Sequence, residues 1–435
     1  MRTPRGLERV VFAVSLAVLA FLLGFAVSAR QWPPNDLLVR AWAQGEALLA
    51  REPAGVQPRV YRRAGARSLT ERELPPALTL VSGNFEDLGW APGAKLVDRS
   101  GRTVHSWSIE PEAMFGDSAT RLGRRLAETT VNGTYLFPDG RLLLNVDYVG
   151  TALLDACGKV VWTLPLGTHH AVSRAADGTF WIPAVSRRQS ADEFAGLEDP
   201  IYEDRILRVS PGGTVLESHS VLELLYENGL ERYIGKAVRS DPTDVTHLND
   251  VEPLPDSLAD EYPAFEAGDL ALSIRHLDMV LVFDPETGRV RWHETRPFRQ
   301  QHDADFLGDG WIGVFDNNVD GTPRGTMLGG SRVVAVRPGT DSTRVLFSAP
   351  DSTPFYTPYV GQWQRLDGGG LLLTESFGGR VLEVDADGRL VWEWIASHYS
   401  DERTPEVLDA VRVDVDRDRV ASWPCSRPDS SSPSR

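Results

Sequence analysis

"MVLVFDPETGRVRW", residues 279–292, is an apolar run, a turn of Asp, Pro and Gly, and a second short run closing on Trp292. Glycine accepts positive φ and aspartate bonds its own backbone, so the stretch reads as two strands joined by a tight hairpin turn. Five other stretches share the design. "AKLVDRSGRTVHSW" ends at Trp107, "TALLDACGKVVW" at Trp162, "RILRVSPGGTVLES" at Ser218, "RVVAVRPGTDSTRVLF" at Phe347 and "RVLEVDADGRLVW" at Trp392. Successive ends step by 55, 56, 74, 55 and 45 residues. Each hairpin follows another strand pair, as in "GTYLFPDGRLLLNVDY" (133–148) and "GQWQRLDGGGLLLTES" (361–376). A repeat of about 40–50 residues carrying about four strands is the pattern of a β-propeller. The fold class is therefore all-β, a six-bladed propeller over residues 77–400. The longest step contains "EPLPDSLADEYPAFEAG" (252–268), read as a loop over one face.

The flanks differ in character. "MRTPRGLERVVFAVSLAVLAFLLGFAVSAR" places Arg2, Arg5 and Arg9 before an uncharged run from Val10 to Ala29. About 20 helical residues rise ~30 Å, enough for a bilayer core, whereas secretory h-regions run about 7–15. Residues 1–30 thus read as a membrane-spanning signal anchor, with cleavage after "VSA" as the alternative. Either way the basic flank stays inside and the propeller lies outside, periplasmic or extracellular. Residues 31–76 read as an amphipathic helix, "PNDLLVRAWAQGEALLARE", and a linker, and 401–435 as an extension with a disordered Ser/Pro tail. A formal net charge of −16 argues against nucleic-acid partners. Cys157 and Cys425 lie far apart, the second in the polar tail, and the expectation is two unpaired thiols although an oxidising compartment permits a bridge.

Inner strands of a propeller line its channel, and loops at the mouth sit on a rigid ring. "GTHHAVSRAADGTFWIPA" puts His169 and His170 just before one inner pair; "DVTHLNDVEPL" puts His247 and Asn249 at that point of the next; "RQQHDADFLGDGWIGVFDNN" puts His302 there in the third. Three successive blades so offer an imidazole at equivalent positions. Strand alternation puts His247 and Asn249 on one face, and only one of His169 and His170 in the channel. Arg275, in "LALSIRHLDMVLVF", is placed on a following strand. His105, His219, His276, His293 and His398 read as structural, and Asp303, Asp316, Asn317 and Asn318 as turn and blade-edge residues.

The set "THHAV", "THLND", "SIRH", "QHDADFLGDGWIGVFDN" and "QRLDGGGLLLTES" with "GRVLEVDADGRLVWEW" resembles the bacterial arylsulfotransferase family over residues 77 to 396. The resemblance implies transfer of a sulfuryl group from a phenolic sulfate ester to a phenol, without PAPS or any other cofactor, through a sulfohistidine. It implies His302 as nucleophile, His247 and Asn249 as the His-x-Asn element, Arg275 as the sulfate-binding arginine, and His169 or His170 as a further active-site histidine. The chemistry suits the residues. Neutral imidazole is a competent nucleophile because its ordinary pKa is about 6.5. A second imidazole can protonate a departing phenolate, worth about 10²–10⁴-fold, and arginine offers a planar fork to sulfate oxygens. Two other readings compete: a three-histidine metal site of the catalytic-zinc kind, and an anchored scaffold with no activity. The physiological donor and acceptor, and the oligomeric state, are not legible.

Overall fold

A computed structural model describes residues 5–29, 53–116, 129–238, 241–349 and 355–425. The chain divides into two compact units, 1–53 and 54–435. Among the described residues the first contains the helix Arg5–Ala29, along which Phe12, Leu19 and Phe21 are exposed. Among the described residues, no helix is long and apolar enough to cross a membrane. The amphipathic helix expected after residue 34 and the Ser/Pro tail lie outside the described residues.

The second unit contains six antiparallel sheets of four or five strands, the blades of a propeller. Blade 2 runs outward through Val131–Leu136, Leu142–Val146, Gly150–Leu154 and Val160–Leu164. Blades 3, 4 and 5 begin with the inner strands Ser173–Arg174, Leu248–Pro253 and His302–Gly308. Blade 6 begins at Gln362–Arg365 and gains a fifth, outermost strand, Gly65–Ser68. Second and third strands are buried on both faces, as in Leu142–Val146 and Met279–Phe283, so they read as unbroken apolar runs rather than as alternation.

Blade 1 closes the ring. Its three outer strands are Leu78–Phe85, Ala91–Asp98 and Thr103–Ser108, and its innermost is Val407–Val413. The register pairs Val407 with Gly83 and Val413 with Leu78. The propeller therefore extends past residue 400 into the stretch expected to be an extension. Beyond it, helix Arg417–Ala421 and Trp423 return to blades 1 and 2, with Val420 and Trp423 in the core shared by Trp107 and Leu144. Trp423 Nε1 donates to Pro138 O at 3.2 Å.

This return corrects the cysteine expectation. Cys157 and Cys425 form a disulfide, with Cα atoms 5.2 Å apart across 268 residues of sequence, inside the span such bonds require. The returning C-terminal segment brings Cys425 onto the hairpin turn that carries Cys157, where distance along the chain is no guide. The long step also differs from a single loop. Part of its length is helical, Val221–Glu227 and Ile234–Ala237, and within 252–268 Tyr262 and Phe265 are buried against Phe306.

Candidate active site

The predicted residues sit where three adjacent inner strands begin. His169 and His170 precede the inner strand of blade 3, His247 immediately precedes that of blade 4, and His302 opens that of blade 5. Ring centroids lie 5.6 Å apart for His170 and His247 and 5.9 Å for His170 and His302. His170 thus stands between the other two. The backbone is left-handed at His170 (φ 53°), His247 (52°), Gln300 (54°), Asp303 (48°) and Val360 (56°). Each such non-glycine residue costs on the order of 1–3 kcal/mol, and such costs concentrate at functional sites.

The pair left open by the sequence resolves. His170 faces the other imidazoles, and its backbone N–H donates to Asp147 Oδ1 at 3.0 Å. His169 is fully buried behind it, stacked on Tyr148 with centroids 4.7 Å apart. The two Nδ1 atoms are 2.8 Å apart, so one ring donates to the other. His169 Nε2 has no hydrogen-bond partner and lies 3.6 Å from Asp204 Oδ1.

At His302 the tautomer follows from the network. Asn317 Nδ2 donates to Thr357 O at 2.8 Å and Val360 O at 2.7 Å, which turns Asn317 Oδ1 toward His302 Nδ1 at 2.7 Å. An amide oxygen only accepts, so Nδ1 carries the proton and Nε2 the lone pair. The Val360 N–H donates to Nε2 at a long 3.2 Å. Burial, then the positive Arg275 and His247, hold His302 well below the ordinary 6.5. His170 is likewise pushed well down, by burial first and then its neighbouring imidazoles. Both rings are neutral near pH 7.

His247 has a different partner. Its Nδ1 lies 2.6 Å from Asp244 Oδ2, so Nδ1–H donates to the carboxylate and Nε2 remains for proton transfer. Burial alone would raise Asp244, but the hydrogen bond and charge of His247, with His276, hold it below its ordinary value. His276 packs on His247 with centroids 4.6 Å apart. It donates from Nδ1 to Asp244 O at 2.6 Å and accepts from Arg275 Nη1 at 3.0 Å.

Arg275 is on a single 3₁₀ turn, Arg275–Leu277, not on a strand; left-handed Asp278 caps that turn, and the next strand begins at Met279. Its N–H bonds His247 O at 3.1 Å, and its Nη2 donates to Gln300 Oε1 at 2.8 Å. Its Nε is buried without a partner. The expected His247–Asn249 alternation fails. His247 is left-handed, and the register slips between Leu248 and Asp250. Asn249 Nδ2 instead donates to Gln301 O at 2.8 Å, next to His302, tying blade 4 to the strand of His302. Its Oδ1 is buried and unpartnered.

Sequence reasoning missed Asp244, His276 and Asn317. Asp244 carried a usable signal, standing three residues before His247 in "DVTH". His276 and Asn317 were assigned structural and blade-edge roles, yet both touch the site. His105 and His293 are elsewhere, bonded to Ala156 O and Tyr233. A metal fits poorly. Ligand atoms of Asp244, His247 and His276 come within 4.8 Å of one another, but the first two are bonded together and His276 Nε2 already accepts from a guanidinium that would repel a dication.

Deeper in the channel, carboxylates accept from the next blade's inner strand. Asp250 takes Ala304 N–H at 2.8 Å, Asp303 takes Trp363 N–H at 2.6 Å, and Asp409 takes Thr134 N–H at 2.7 Å. Burial raises all of them: Asp250 to about 7, Asp305 to about 8 and Asp409 to about 6, with Asp303 and Glu252 well above their ordinary values.

Fold and site together define a β-propeller with a cluster of imidazoles and an arginine where three adjacent inner strands begin. Residues 134–397 match the family model described as "Arylsulfotransferase (ASST)", and the chain belongs to that family. It is an arylsulfotransferase, a PAPS-independent enzyme acting on small phenolic substrates. Similar solved structures share little sequence. A protein of unknown function from Bacteroides caccae is 14% identical, with TM-score 0.48, covering 78% of this chain and 99% of that one. A streptogramin B lyase is 11% identical, with TM-score 0.41, covering 77% and 88%. A virginiamycin B lyase from Staphylococcus aureus is 10% identical, with TM-score 0.40, covering 77% and 89%. A search of curated proteins returns no match.

Proposed function

We propose that transfer proceeds by double displacement through a sulfohistidine on His302. The observation that carries this is the Asn317 lock, which leaves a neutral ring with its lone pair on Nε2. Nε2 attacks the sulfur of an aryl sulfate and the S–O(aryl) bond breaks. The departing phenolate takes a proton from His247, whose imidazolium form Asp244 stabilises. The second phenol gives its proton to His247, its oxygen attacks sulfur, and the N–S bond breaks. Arg275 supplies positive charge to the sulfuryl oxygens. Asn249 holds the His302 strand, and His170, between the two imidazoles, fills the remaining side. Steady-state rates with 4-nitrophenyl sulfate and phenol varied together should give parallel double-reciprocal lines. Intersecting lines would sink the covalent route.

We further propose that residues 5–29 anchor the enzyme in a membrane with the propeller in an oxidising compartment. Support comes from the uncharged run Val10 to Ala29 behind Arg2, Arg5 and Arg9 in the sequence, and from the Cys157–Cys425 disulfide. Alkaline carbonate should leave the full chain in the membrane pellet; release into the supernatant would refute anchoring.

A further inference from the structure

Beside His247 lies a cavity of about 170 Å³. Tyr148, Val185 and Tyr202 form its apolar and aromatic wall, and Asp204, Asp241 and Asp244 supply carboxylates. None of its lining residues is lysine or arginine. His169 lines it too, with a buried Nε2 that has no hydrogen-bond partner. A cavity of about 150 Å³ holds a benzene ring, so this one takes a single ring and is tight for two fused ones.

The position is what the reaction needs. If His247 exchanges protons with the phenolic oxygen, the ring attached to that oxygen must lie on the His247 side of the site. The carboxylates then decide what the ring can carry. Asp244 is committed to His247. Asp204 Oδ2 accepts from Thr246 Oγ1 at 2.6 Å and Leu248 N–H at 2.8 Å, leaving Oδ1 beside His169. Asp241 Oδ1 accepts from the N–H groups of Thr243 at 3.0 Å and Asp244 at 3.2 Å, and Asp241 is only partly buried, unlike Asp204. An anionic substituent would meet three carboxylates and no lysine or arginine, whereas an ammonium would find acceptors.

We propose that this cavity is the aryl subsite and selects single-ring phenols bearing a cationic substituent, an arylalkylammonium, over neutral and anionic phenols. The proposal rests on the assignment of His247 above. The test is acceptor competition with 4-nitrophenyl sulfate as donor, using 4-(2-aminoethyl)phenol, 4-ethylphenol and 3-(4-hydroxyphenyl)propionate at equal concentration. The expected kcat/KM order is cationic, neutral, anionic. In Asp241→Asn, which keeps the Oδ1 acceptor, the cationic-to-neutral ratio should fall on the order of tenfold, the worth of a hydrogen bond to a charged group. Equal use of the three acceptors by the wild type, or an unchanged ratio in the variant, overturns the cation preference while sulfotransfer stands. No transfer to any of the three ends the reading beneath it as well.

Discussion

Replacing Asp244 by asparagine tests the proton-transfer arrangement directly. The variant keeps the shape of the side chain beside His247 Nδ1, 2.6 Å away, and removes only its charge. A hydrogen bond to a charged group contributes about 1.5–3 kcal/mol and a neutral one about 0.5–1.5. The loss when His247 becomes imidazolium is therefore about 1–2 kcal/mol, or roughly 5- to 30-fold in rate. The loss lowers the share of His247 that holds a proton to give to the leaving group, so it should depend on the donor. Phenyl sulfate, whose leaving phenol is a weak acid, should show the full loss. 4-Nitrophenyl sulfate, whose phenolate leaves with little help, should show almost none. The assay is kcat/KM over a series of substituted phenyl sulfates, plotted against leaving-group pKa, and the variant's slope should be steeper. An equal loss for every donor would mean that Asp244 merely holds the loop, and the proton-transfer role of the pair would be wrong.

Stability should fall with rising pH above 6.5. Asp250 and Asp305, raised to about 7 and about 8 by burial, keep protons that the unfolded chain releases near pH 4, so their contribution is full below about 4 and is lost as pH rises through 7 and 8. His170 and His302, depressed by burial, act oppositely, but only below 6.5, so calorimetry between pH 6.5 and 8.5 should show a falling melting temperature, at most ~1.4 kcal/mol per pH unit per proton, and a flatter one in Asp305→Asn; an identical slope would refute the role of Asp305. Cys157→Ser should cost about 2–4 kcal/mol by opening a loop of 268 residues, seen as a lower melting temperature that reductant no longer changes; coincident melts of the oxidised wild type and the variant would contradict this.

The blades were legible because each outer hairpin carries its own turn chemistry within about 14 residues, as at Asp284–Gly288. Closure was not, because nothing local in "VLDAVRV" (407–413) announces a partner more than 300 residues earlier at Leu78–Phe85. The cysteine pair was hidden for the same reason. In the site, the histidines could be read from their common place before inner strands. What failed was inference from strand alternation at His247 and Asn249, where a left-handed residue and a slipped register interrupt the strand. Asn317 and His276 reach the site from the turn ending the second strand of the same blade as His302 and His247, so their sequence context resembled ordinary blade edges.

The central claim is the covalent intermediate on His302. Wild-type enzyme mixed with 4-nitrophenyl sulfate and no acceptor, then analysed by intact mass and peptide mapping in mildly alkaline solution, should carry one sulfuryl group on the peptide containing His302, discharged by added phenol. His302→Asn should carry none and transfer nothing. A sulfuryl group mapped to His170 or His247, or full phenol transfer by His302→Asn, would contradict the account.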